Sequence, residues 1–175
     1  MTLALLLSCA ARQPAPPAPS YDALVDEAVV ALGQEELEEA ERLFTLASAQ
    51  RPGAMEARYG LASVDARRCW TLGERCADCL EAFTEVLDDG GFRHARYNRA
   101  TCLIQVGAHA EALADLDRAV VDSPEDPDYR ATRGELLWSA GRKQEACADF
   151  LLAGDRANEA LGARLEACST LQESP

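Results

Sequence analysis

The apolar positions fall into short helical stripes separated by turn residues. Leu24, Ala28 and Ala31 share one helical face, and Leu37, Ala40, Phe44 and Ala47 share another. Between them Gln34 to Glu36 is a polar turn, and Pro52 stops the second stripe. The pattern returns as Cys79, Phe83 and Val86, as Ala112, Leu116 and Ala119, and as Ala146, Phe150 and Ala153. A last stripe, Leu161, Leu165 and Cys168, predicts a terminal amphipathic helix. Ala and Leu are abundant and β-branched residues few, and no segment alternates as a strand does, so the expected class is all-α.

The stripes repeat. Arg99, Gly107, Glu111, Ala112, Asp115 and Ala119 recur 34 residues later as Arg133, Gly141, Glu145, Ala146, Asp149 and Ala153, with Leu116 and Phe150 as apolar partners at the same step. Gly107 and Gly141 break each unit into two helices. The small Ala112 and Ala146 let those helices approach, and Pro124 and Pro127 end the second one. One such hairpin cannot bury its apolar face alone, whereas stacked neighbours can.

A 34-residue period with this punctuation resembles the tetratricopeptide repeat family. The segments RYNRATCLIQVGAHAEALADLDRAVVDSP and RATRGELLWSAGRKQEACADFLLA carry the resemblance. It implies a right-handed α-solenoid with a concave groove, used as a scaffold for protein or peptide partners and holding no catalytic machinery. Four repeats are expected at about 21–54, 55–92, 93–126 and 127–160, with a capping helix over 158–171. Repeat two exceeds the period by five residues, an excess expected to form a loop within RRCWTLGERCAD. The first helix of each repeat lines the groove in this family. The implied lining is Tyr59, Ser63, Tyr97, Asn98, Thr101, Glu135 and Trp138. Asn98 matches one place of the clamp that some relatives close on a peptide carboxylate, but Val25 and Val29 occupy others.

The chain begins MTLALLLSCA, and Leu6-Leu7-Ser8-Cys9 resembles the lipobox of bacterial lipoproteins. That resemblance implies cleavage before Cys9, lipidation of its thiol and acylation of its new amino group. The apolar leader, residues 1–8, holds no Lys or Arg, so a basic start is expected upstream of Met1. Residues 9–20 would form the anchor and an extended Pro-rich linker, with four of the eight prolines, ahead of a folded domain over 21–171. Together these imply a lipid-anchored protein of the bacterial cell envelope, in the outer membrane or facing the periplasm. The alternative is a soluble cytoplasmic adaptor with reduced or zinc-bound cysteines.

Charge and cysteines refine the picture. A net charge of −13 argues against nucleic acid and anionic membrane surfaces as direct partners. With Cys9 lipidated, six cysteines remain: Cys69, Cys76, Cys79, Cys102, Cys147 and Cys168. The implied repeat geometry sets Cys147 beside Cys168 and Cys79 beside Cys102, which leaves Cys69 and Cys76 within the insertion. Zinc held by Cys69, Cys76, Cys79 and Cys102 is a rival reading, as are buried free thiols. His94 and His109 stand in no nucleophile motif, and the chain contains no phosphate loop or zincin motif. No enzyme activity, metal or cofactor is therefore expected. Finally, Arg99 with Asp115 and Arg133 with Asp149 are each 16 residues apart, one on each helix of its hairpin, and the aligned positions of repeats one and two lack both charges. A partly buried charge needs its partner, so ion pairs bridging the two helices are expected in repeats three and four, and there only.

Overall fold

The computed structural model describes residues 18–154 and 159–172. Cys9 and the leader lie outside the described residues. Within them the chain forms helices and no strand: α1 Tyr21–Gly33, α2 Leu37–Gln50, α3 Met55–Leu72, α4 Cys76–Asp88, α5 Ala95–Gln105, α6 His109–Asp122, α7 Pro127–Ser139, α8 Lys143–Ala153 and α9 Glu159–Gln172. Each helix packs on the next, and alternate helices α1 and α3, and α3 and α5, also touch. This is an all-α solenoid of helical hairpins.

Local chemistry sets the helix ends. Ser20 caps α1 by accepting from the Ala23 amide at 3.3 Å. At α7, Asp126 accepts from the Asp128 amide, and Pro127 opens the helix where its missing donor costs nothing. Gly107 and Gly141 sit at φ 77° and 78° in the turns α5–α6 and α7–α8, a left-handed backbone that glycine adopts without a Cβ penalty.

The core follows the apolar stripes. Phe44, Phe83, Leu116 and Phe150, one from each second helix, are all buried, with Ala40, Ala112 and Ala146 fully enclosed beside them. Gly60 and Gly134 sit against the rings of Phe44 and Phe150, where a Cβ would overlap the ring.

Repeat two departs from expectation. The five extra residues do not form a loop: α3 continues through Cys69 to Leu72, making it 18 residues long against 11 to 13 for the other first helices. Arg68 and Cys69 are buried on this extension, which gives the added turn a reason to stay helical. Gly73 then ends α3 in the left-handed region, with its amide on the Cys69 carbonyl.

Candidate functional site

The first helices α1, α3, α5 and α7 together line a groove of about 770 Å³. Much of its lining is apolar, from Val25, Val29 and Leu32 of α1, Trp70 of the extended α3 and Phe92. Val29 and Trp70 are more than half exposed, at 57% and 58%. Large apolar side chains held open at a concave surface mark a place for a partner.

The polar part lies on α3 and α5. Asn98 donates through Nδ2 to the Tyr59 hydroxyl at 2.9 Å. Ser63 and Thr101 turn their hydroxyls back onto the carbonyls of Tyr59 and Asn98. Burial raises the pKa of Tyr59 and of Tyr97, so both phenols stay neutral at physiological pH. The two charges on the groove wall are already engaged: Glu56 accepts from the Tyr21 hydroxyl at 3.2 Å, and Arg67 pairs with Glu35. An otherwise acidic protein thus presents a nearly neutral, mainly apolar groove.

Tyr59, Ser63, Tyr97, Asn98 and Thr101 all line this groove, as expected for first helices. The tyrosines also pack between repeats. Tyr59 lies against Phe92 with ring centroids 4.6 Å apart, and Tyr97 stacks on Tyr129 at 4.6 Å. Glu135 and Trp138 lie elsewhere. Arg164 of α9 binds the Glu135 carboxylate at 3.0 Å and sets its guanidinium over the Trp138 ring at 4.9 Å. The capping helix occupies the position where a further repeat's first helix would stand, so those two side chains serve the cap. Val25 and Val29, which stand at clamp places of repeat one, are groove walls. Sequence reasoning missed Trp70, which lies on the helical extension of α3 that the repeat register does not foresee.

The remaining candidates are structural. Arg99 grips Asp115 through both oxygens at 2.7 and 2.8 Å, and Arg133 grips Asp149 at 2.7 Å twice. Each arginine also reaches the preceding repeat, Arg99 to Thr84 at 3.2 Å and Arg133 to Asp117 at 3.0 Å. Such contacts are not confined to repeats three and four, which corrects the expectation. In repeat two, Arg75 at the start of α4 bonds Asp65 of α3 at 3.0 Å, and Arg68 bonds Glu41 of α2 at 2.8 Å. The insertion supplies these arginines at new positions, so the 34-residue register could not reveal them.

All six described cysteines are paired, as Cys69–Cys76, Cys79–Cys102 and Cys147–Cys168. The four thiols of the zinc reading are thereby engaged in two disulfides. Among the described residues no group of three or more His, Cys, Asp or Glu side chains is placed to hold a metal ion, and no helix is long and apolar enough to cross a membrane.

Comparison with known proteins agrees with this architecture. The tetratricopeptide repeat profile matches residues 25–68, 73–129 and 110–160. A segment of 79 residues is 35% identical to the TPR repeat-containing thioredoxin TTL4 of Arabidopsis thaliana; that segment is 45% of this chain and 11% of that protein. The chain therefore spans about a tenth of that relative's length. Among solved structures, a double mutant of MamA RS-1 superposes with a TM-score of 0.69 at 15% identity, over 88% of this chain and 85% of that one. TTC0263, a thermophilic TPR protein of Thermus thermophilus, gives 0.66 at 20% identity over 87% and 82%. YrrB, described as a TPR protein with an unusual peptide-binding site, gives 0.64 at 22% identity over 88% and 78%. At these identities the structural likeness speaks for the fold alone. The repeat profile covers most of the chain, and the protein belongs to the tetratricopeptide repeat family, whose members act as scaffolds for protein–protein interaction.

Proposed function

We propose that this protein receives a protein or peptide partner in the groove of α1, α3, α5 and α7, and that it does so while tethered to a bacterial envelope membrane through a lipid on Cys9. The apolar lining of the groove is the observation that supports the binding role. Val29 and Trp70 stand open to solvent on its walls, and Asn98 on the same lining offers a polar group to the partner. A partner that covers these side chains removes apolar area from water at roughly 25 cal/mol per Å². The lipobox-like LLSC and the Pro-rich residues that follow support the tether. Stable anchoring takes more than one acyl chain, which the lipoprotein modification would supply at a single residue.

One experiment separates the two parts. Protein expressed from its native gene is compared with Cys9→Ser and with Val29→Asp. Cys9→Ser should lose labelled fatty acid and leave the membrane fraction while still retaining its partner. Val29→Asp should stay in the membrane and lose the partner. Wild-type protein that takes up no fatty acid removes the anchor, and undiminished partner retention by Val29→Asp removes the groove.

A further inference from the structure

The turn between α3 and α4 is built unlike the corresponding turns of the other repeats. It is closed by the Cys69–Cys76 bridge, whose Cα atoms are 4.7 Å apart. It also holds two left-handed residues, Gly73 at φ 70° and Arg75 at φ 57°. Glycine accepts that backbone freely, whereas arginine is strained in it. Trp70, a wall of the groove, stands inside the segment that the bridge closes.

The three bridges differ in accessibility. Cys69, Cys79 and Cys102 are 0–1% exposed, and Cys147 and Cys168 are 6% and 2%. Cys76 alone among the described cysteines is not buried. Thiol–disulfide exchange requires an attacking thiolate to reach a sulfur from outside, so Cys76 is the point of entry. Cys76 is also the first residue of α4, so its sulfur sits at a helix end and not within the packed core.

We propose that the Cys69–Cys76 bridge is a reducible latch that fixes Trp70 in the wall of the groove, and that a small dithiol opens it while the other two bridges stay closed. The exchange is balanced. One thiolate of the dithiol attacks the Cys76 sulfur and expels the Cys69 thiolate. The second then attacks the mixed disulfide and expels the Cys76 thiolate. The dithiol leaves as a cyclic disulfide, and its two electrons and two protons end on Cys69 and Cys76.

The consequence is local because of what holds each side of the turn. Arg75 remains tied to Glu41, Asp65 and Asp78 at 2.9 to 3.0 Å, so the start of α4 stays in place. The last turn of α3 has no such ionic anchor. Thr71, Leu72, Gly73 and Glu74 are exposed, and Leu72 leaves 61% of its surface in water. Besides the bonds within the helix, that turn is held by backbone bonds from Gly73 to Cys69 and from Glu74 to Arg68, and by the Thr71 hydroxyl on the Arg67 carbonyl. A segment with so little burial opens at small cost once the covalent closure is gone. Trp70 then leaves its fixed place in the lining, and the groove loses part of a wall.

The full chain carries the test, with Trp138→Phe introduced so that Trp70 is the only tryptophan. Native protein is treated with dithiothreitol, alkylated at intervals and mapped by mass. Cys69 and Cys76 should be labelled roughly tenfold or more faster than Cys79, Cys102, Cys147 and Cys168. Over the same interval, amide exchange at 70–74 should rise about tenfold and acrylamide quenching of Trp70 should increase, with α8 and α9 unchanged. Cys76→Ser should show the open state without reductant. Loss of all three bridges together overturns the latch, as does selective reduction that leaves exchange and quenching at 70–74 unaltered. None of these readouts involves a partner, so the latch stands or falls independently of what the groove binds.

Discussion

Removing the Asp149 carboxylate is the sharpest test of how the later repeats are held together. Asp149 is 3% exposed and receives both forks of Arg133 at 2.7 Å, with Arg130 3.7 Å from the same carboxylate. Exposed pairs contribute about 0–1 kcal/mol, whereas breaking one side of a buried pair costs about 3–5 kcal/mol because a charge is left desolvated. Arg133 retains Asp117 at 3.0 Å, and its side chain is 19% exposed, so it is not fully stranded. Discounting for that relief, Asp149→Ala should lower stability by about 2–3 kcal/mol. Asp115→Ala should cost somewhat less, about 1–2 kcal/mol, since the Arg99 side chain is 26% exposed and keeps Thr84. Glu145→Ala removes a fully exposed partner of Arg142 and should leave the denaturation midpoint unmoved. Urea unfolding at 25 °C reads all three, with a constant slope showing that the unfolded reference is unchanged. The double change Arg133→Met with Asp149→Leu should be milder than Asp149→Ala, because no charge is orphaned. If Asp149→Ala behaves like Glu145→Ala, the pairs record repeat ancestry and contribute nothing to stability.

Four further outcomes follow from the packing and charge around the insertion, the first core and the cap. Burial raises the pKa of Asp65 despite Arg75 beside it, so its protonated form favours folding, and that contribution fades as pH rises through a value above 3.8. Asp65→Asn should therefore be neutral or stabilising by up to about 1 kcal/mol at pH 7, and unfolding curves at pH 4 and pH 7 should show the gain growing with pH. At Glu41, burial raises the pKa, but bonds from Arg68 and Arg75 outweigh it and lower the net value, so this group's stabilisation is lost as pH falls, the opposite sense to Asp65. Gly60→Ala should cost about 1–3 kcal/mol in urea, because its Cβ meets the buried Phe44 ring. Cys147→Ala with Cys168→Ala should cost about 2–4 kcal/mol and release the amides of α9 to exchange before those of α7.

The repeat frame was open to reading because its determinants are local. A glycine turn and a small residue one face away act within one hairpin, and Gly107 and Ala112 return 34 residues on as Gly141 and Ala146. The Arg–Asp pairs could be read for the same reason, since both partners recur in register. The insertion could not. Whether RRCWTLGERCAD loops out or extends α3 depends on Arg68 meeting Glu41 of the preceding repeat, a contact that the period does not encode. The groove was half readable. First-helix positions identify its lining, but not which side chains a neighbour will cover. Glu135 and Trp138 fell to the cap through Arg164, a single basic residue on α9. Val29 remains open because it faces the groove, while Val25 beside it is partly buried against the first core.

Whether the groove is where the partner sits can be decided by site-specific photocrosslinking in intact cells. A photoreactive side chain is placed at Val29, in the groove, and in separate proteins at Leu46 of α2 and Val121 of α6, which are 42% and 69% exposed on second helices. One discrete adduct is expected at Val29, disappearing when Trp70→Ala is added, with no adduct at the other two positions. An adduct at Leu46 or Val121 with none at Val29 would place the partner on the second helices and refute the groove.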